Sequence, residues 1–155
     1  MSVLSRRWLF RAGVGLVAAL LAIQLVPYGR SHSNPAVQTE PQWDSPVTRT
    51  LAQQACFDCH SNETEWPAYA SIAPASWLVQ HDVDEGRAVL NFSEWQRPQE
   101  EAAKASEELL EGEMPPAAYV LMHPHARLSP SDRDSLARGL AKTLGGAPPK
   151  EAHVR

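Results

Sequence analysis

The sequence predicts an all-α fold, with one small helical domain over residues 45–146 behind a single apolar N-terminal helix. Three observations carry this. Four stretches show apolar residues at helical spacing, bounded by capping residues, prolines or glycines. No run of alternating apolar and polar residues reaches strand length, and no segment repeats. The nineteen residues from Trp8 to Val26 are apolar except for Arg11 and Gln24.

That first stretch would make a helix of roughly 28 Å, close to the ~30 Å hydrocarbon core of a bilayer, so a membrane-spanning helix is expected. Arg6, Arg7 and Arg11 lie toward its N-terminal end and Pro27 closes it. Positive charge marks the cytoplasmic side. Residues 1–30 therefore read as an uncleaved anchor, single-pass in a bacterial cytoplasmic membrane, with the C-terminal domain in the periplasm. A cleaved signal ending near Ser31-His32-Ser33 is the alternative. The run Ser5-Arg6-Arg7-Trp8-Leu9-Phe10 also looks like a twin-arginine export signal.

Residues 31–44 are polar and proline-containing without periodicity, and read as a flexible tether. Ser45 and Pro46 form an N-cap and first-turn proline, with Val47, Leu51 and Ala55 following at helical spacing into Cys56. Pro74 opens a second helix carrying Ile72, Trp77 and Leu78 and running to about Leu90. Pro98 opens a third through Leu109 and Leu110, with Gly112 as its stop. Ser129-Pro130-Ser131-Asp132 caps a last helix bearing Leu136, Leu140 and Leu144, closed by Gly145-Gly146. Residues 147–155 read as a disordered tail.

Composition limits what this domain can be. Two cysteines in 155 residues exclude a disulfide-rich scaffold and a four-cysteine zinc site. A net charge of −4 argues against nucleic acid as a partner. The charge is also uneven: residues 1–30 hold four of the 14 basic residues and none of the 18 acidic ones, leaving net −8 on residues 31–155. Ten acids fall between Asp82 and Glu113. They form either a solvated helix face or a docking surface for a basic redox partner.

The chemistry lies in Cys56-Phe57-Asp58-Cys59-His60. In C-x-x-C-H, two thiols spaced by two residues add to the vinyl groups of one haem, and the next histidine reaches the iron from the proximal side. The expected cofactor is thus one covalent haem c, anchored by Cys56 and Cys59 with His60 as proximal ligand. A thioredoxin-type dithiol would need a βαβ setting, and zinc would need further ligands. A disulfide would close too small a loop and leave His60 unexplained. Haem c is attached to an unfolded chain, which weighs against twin-arginine export of a folded protein.

The sequence resembles the haem-binding domain proteins of bacterial envelopes from about Leu51 to Leu144. The resemblance rests on Cys56-Phe57-Asp58-Cys59-His60-Ser61-Asn62 with Trp66-Pro67, on Ile72-Ala73-Pro74-Ala75-Ser76-Trp77-Leu78, and on Glu85-Gly86-Arg87 with Leu90-Asn91-Phe92-Ser93-Glu94-Trp95. It also includes Glu111-Gly112-Glu113-Met114-Pro115. It implies a membrane-anchored chain with a single haem.

For the sixth iron position Met114 is the candidate. Its thioether can ligate iron, and Pro115-Pro116 extends the backbone after it. A methionine before proline ahead of a final amphipathic helix also resembles class I cytochromes c. A core methionine beside a proline turn is the alternative. His81, one turn after Trp77, is a rival ligand, as are His123 and His125; His32 and His153 lie in polar flanks. Trp66, Trp77 and Trp95 are candidates to pack against the porphyrin.

Together these readings predict a membrane-anchored periplasmic monohaem c-type cytochrome that transfers single electrons and is not an enzyme. A haem-based redox or gas sensor is an alternative. So is a small peroxidase with an open distal site, in which His81 or His123 would serve as acid and base.

Overall fold

The computed structural model describes residues 3–146, and the tail at 147–155, with His153, lies outside the described residues. The fold is all-α as predicted. Its helices are α1 (Val3–Ile23), α2 (Pro46–Ala55), α3 (Phe57–His60), α4 (Ala75–Val89), α5 (Ala105–Glu111), α6 (Ala117–Met122) and α7 (Pro130–Leu144). Three short 3₁₀ turns, at Ala68–Ser71, Ala102–Lys104 and Pro124–Ala126, join them. The described residues contain no strand; the one β-bridge pairs Thr39 with Glu94. They divide into two compact units. One comprises the chain up to His32 and Trp66–Asp82, the other Ser33–Glu65 and the chain from Val83.

In the first unit, α1 departs from the expected membrane span. Arg7 and Arg11 fall inside the helix and it ends at Ile23, so only residues 12–23 are free of charge. That is ~18 Å of helix against a ~30 Å hydrocarbon core. Among the described residues, no helix is long and apolar enough to cross a membrane. Gln24 follows and pairs with the Ala73 peptide through both ends of its amide, donating to the carbonyl at 2.8 Å and accepting from the N–H at 3.0 Å.

The second unit holds the main core: Leu51, Phe57, Leu90, Phe92, Leu109, Leu136 and Leu140 with neighbouring alanines, flanked by Trp43, Trp95 and Leu144. Its helices begin and end where their caps dictate. Ser45 Oγ accepts from the Thr48 N–H at 3.2 Å and Ser129 Oγ from the Asp132 N–H at 3.1 Å. Gly112 and Gly145 close α5 and α7 at φ of +82° and +78°, a left-handed conformation that favours glycine. The third helix does not start at Pro98. The Gln99 side chain accepts from the Asn91 N–H and donates to the Glu94 and Arg97 carbonyls, which holds that stretch in turns until Ala102. Ile72 likewise lies before α4, 60% exposed.

Within the 31–44 segment expected as a flexible tether, residues 33–44 carry hydrogen bonds to the rest of their unit. The N–H groups of Gln38 and Thr39 both donate to the Ser93 carbonyl, and the Trp95 N–H donates to that of Thr39. Asn34 Nδ2 donates to the Thr64 carbonyl at 2.9 Å. Backbone groups make most of these bonds, which is why composition concealed them.

Glu40 fastens this segment to α2. Its carboxylate accepts from Arg49 Nη2 at 2.6 Å, Arg49 Nε at 2.8 Å and Trp43 Nε1 at 2.7 Å. The Arg49 bond, foremost, holds the Glu40 carboxyl below its ordinary value. A depressed folded-state value stabilises the fold above the ordinary carboxylate pKa, and that stability is lost as pH falls through the folded value. The chemical-denaturation midpoint should therefore drop on acidification, and Glu40→Gln should flatten the acid limb while leaving less stability at pH 7. A variant with an unchanged acid limb would remove Glu40 from this role.

Candidate functional site

The motif is built by one tight turn. The Cys56 N–H ends α2 on the Ala52 carbonyl, and the Cys56 carbonyl then accepts from the N–H groups of both Cys59 and His60, at 3.2 and 2.9 Å. Residues three apart on such a turn share a face, so Cys56 and Cys59 lie together. The two residues between them serve other ends. Phe57 is 2% exposed, its ring 5.5 Å from that of Phe92 and capped by the Arg49 guanidinium at 5.5 Å. Asp58 binds the Glu65 N–H through Oδ1 at 2.8 Å, the Tyr119 hydroxyl through Oδ2 at 2.5 Å, and the Thr64 hydroxyl through its carbonyl at 2.6 Å.

Both cysteines are half-buried and stand outside any disulfide. Burial, and then the neighbouring Cys59, pushes the Cys56 thiol up to about 12, so it is uncharged at neutral pH. His60 Nδ1 lies 3.0 Å from the Gly86 carbonyl and 3.1 Å from the Leu90 carbonyl. Carbonyls only accept, so Nδ1 carries the proton and Nε2 keeps its lone pair. Burial also pushes the imidazole below its ordinary value, against the opposing effect of the Leu90 and Gly86 carbonyls. The ring is thereby held neutral, in the tautomer a metal ligand requires.

These two carbonyls come from the last turn of α4 and from the residue just after it, where α4 approaches the motif closely. A Cβ built on Gly86 would stand 2.5 Å from the Cys59 carbonyl oxygen and 3.0 Å from Cys59 Cβ. Behind His60 lies a buried polar network. The Phe92 N–H donates to the His60 carbonyl at 2.8 Å. Asn91 Nδ2 donates to Asn62 Oδ1, the Asn62 N–H to Ser93 Oγ, and the Ser93 N–H to Asn91 Oδ1, each at 2.9 Å. Arg87 Nε donates to the Ser61 carbonyl at 2.8 Å. Sequence reasoning gave Gly86, Arg87, Asn62 and Asn91 no role, although all four lie in the blocks that carry the family resemblance.

Of the other candidates, Trp95 packs on the core of this unit. Met114 also belongs to it, 40% exposed, with its N–H on the Glu108 carbonyl at 3.2 Å beyond the Gly112 cap. The apolar helix α6 that follows buries none of its residues; Leu121 is 73% and Met122 58% exposed. His123 stacks on Tyr119 at 4.2 Å and meets the exposed His125 edge-on at 5.7 Å. Trp66, Trp77 and His81 belong to the other unit. There Trp66 stacks on His32 at 4.9 Å, Trp77 is half-buried with an unpartnered Nε1, and His81 is exposed.

The donor set fits a covalently held haem. Two thiols outside any disulfide, on one face of the turn, precede a neutral imidazole whose Nδ1 is taken by two carbonyls, and the same unit exposes Met114, Leu121 and Met122, apolar surface of the kind a macrocycle covers. The rival chemistries fit less well. Among the described residues no three His, Cys, Asp or Glu side chains are grouped to hold a metal ion, and no strand provides a thioredoxin setting. An open cavity of about 280 Å³ beside the motif is lined by Gln53, Gln54, Asp58, Glu63, Glu65 and His125 among others, a polar wall unsuited to porphyrin.

A family model described as a haem-binding domain matches residues 18–142. No curated protein and no solved structure gives a significant match to the chain.

Proposed function

The chain belongs to the haem-binding domain family, and from that premise we propose that it is a monohaem c-type cytochrome that carries single electrons at the periplasmic side of a bacterial cytoplasmic membrane. The observation that carries this reading is the His60 imidazole, fixed by the Gly86 and Leu90 carbonyls with Nε2 free, directly after Cys56 and Cys59. Haem bound here supplies a one-electron Fe(III)/Fe(II) couple. Cys56 and Cys59 would hold it through thioethers, and the His60 imidazole and the Met114 thioether would be its iron ligands. A soft thioether favours the reduced metal and raises the potential above that of a bis-histidine site. With both iron ligands supplied by His60 and Met114, the site would leave no position for substrate, which favours a carrier.

The apolar side chains of α1 between Trp8 and Leu21 are exposed throughout, and they attach the chain to the membrane. Attachment raises the local concentration of the site near membrane oxidoreductases. A basic redox partner docks on the acidic surface, to which exposed Glu107, Glu111 and Glu113 contribute.

The test is the absorption spectrum of the purified full-length holoprotein. The expected result is a low-spin spectrum whose ferric form shows the weak far-red charge-transfer band of methionine-ligated haem, with the band lost in Met114→Ala. A high-spin spectrum with rapid carbon monoxide binding would overturn the carrier reading in favour of a sensor or a peroxidase.

A further inference from the structure

The segment that carries Met114 has little of its own to hold it. Pro115 and Pro116 restrict its backbone, and α6 buries no residue. Two bonds tie it to the motif elements. Tyr119 donates to Asp58 Oδ2 at 2.5 Å, and further along Gln54 Nε2 of α2 donates to the His125 carbonyl at 2.6 Å. Between these points the arm is stiffened locally, since His123 stacks on Tyr119 at 4.2 Å and its Nδ1 lies 3.1 Å from the Tyr119 carbonyl. Asp58 is a firm post for such a tie. Its other carboxylate oxygen and its carbonyl are bonded to Glu65 and Thr64, and it stands between the two cysteines.

We propose that Tyr119 is a positioning residue for the sixth iron ligand: bonded to Asp58 inside the Cys56–Cys59 loop, it fixes where the Met114 thioether can stand and so how firmly the sixth position is held. The inference rests on the reading of Met114 as that ligand. Burial and the Asp58 bond hold the Tyr119 phenol well above its ordinary value, so the hydroxyl remains a donor across the working range of pH.

The experiment uses full-length holoprotein with cyanide as the probe of the sixth position. Tyr119→Phe should weaken the far-red band and raise cyanide affinity about tenfold, the scale of one lost hydrogen bond to a charged group. Asp58→Ala should do the same, Asp58→Asn should largely restore the wild-type band, and the Tyr119→Phe, Asp58→Ala double variant should be no worse than either single one. If the wild type shows the band, Met114→Ala abolishes it, and Tyr119→Phe changes neither band nor cyanide affinity, Tyr119 is not the positioning residue while the methionine reading stands. If the wild type lacks the band, or Met114→Ala retains it, both fall together.

Discussion

Replacing both motif cysteines, Cys56→Ser with Cys59→Ser, is expected to abolish covalent haem retention and to cost the domain its cooperative unfolding transition. The first effect follows from thioether chemistry, since no other cysteine exists in the chain. The second follows from the surface that the protein alone leaves uncovered. Met114, Leu121 and Met122 are 40%, 73% and 58% exposed, and α6 buries nothing. Covering a large apolar side chain is worth about 1.5–3 kcal/mol, and a small domain has only about 5–15 kcal/mol in all. Without a cofactor the α6 region should lose its order first. Haem staining after denaturing electrophoresis checks the first effect, and circular dichroism through a thermal ramp checks the second. A variant that melts as sharply as the holoprotein would show that the core built on Phe57, Phe92, Leu109 and Leu136 suffices without haem.

The second large effect is expected at Gly86. Alanine is the better helix former by ~1 kcal/mol, so on propensity alone Gly86→Ala should stabilise α4. Its methyl would instead overlap the backbone of Cys59, 2.5 Å from the carbonyl oxygen, and backbone cannot step aside as a flexible side chain can. Overpacking of this kind costs roughly 1–3 kcal/mol or more. Here it also separates α4 from the motif and withdraws the Gly86 and Leu90 carbonyls from His60. Holoprotein yield and the urea midpoint should both fall. The exposed Ala88 on the same helix provides the control, because Ala88→Gly should lose only the propensity term and leave haem content alone. Normal haem yield from Gly86→Ala would show that α4 can withdraw without consequence for the motif.

What was legible in the sequence was local. Ser45, Ser129, Gly112 and Gly145 act within one turn of themselves, and the helix ends they imply are where the structure has them. The Cys56, Cys59 and His60 triad was legible because its spacing is its chemistry. Contacts distant along the chain were not. Asn62 meets Asn91 and Ser93 only after the intervening chain has folded, and no periodicity announces it. The stretch at 31–44 read as a tether because its bonds, from the Gln38 and Thr39 N–H groups to the Ser93 carbonyl and from the Asn34 amide to the Thr64 carbonyl, end on backbone acceptors that every sequence possesses. The nineteen residues from Trp8 to Val26 read as a span because the apolar run continues past Arg11 and Gln24, whereas the helix ends at Ile23. Short α6 has no side-chain cap and buries no residue, so neither a capping signal nor a core stripe marks it in the sequence.

The two bonds of His60 bear on protons as well as on geometry. Where a ligand histidine leans on a carboxylate, the partner can draw the Nδ1 proton toward itself and make the imidazole a stronger donor. Gly86 and Leu90 offer amide oxygens, which accept a hydrogen bond but are too weakly basic to take the proton. The Nδ1 proton of His60 therefore has two acceptors and no base to move to. On the proposed carrier reading, an electron passing through this site would do so without a proton in company, because the Gly86 and Leu90 carbonyls leave the His60 proton where it is.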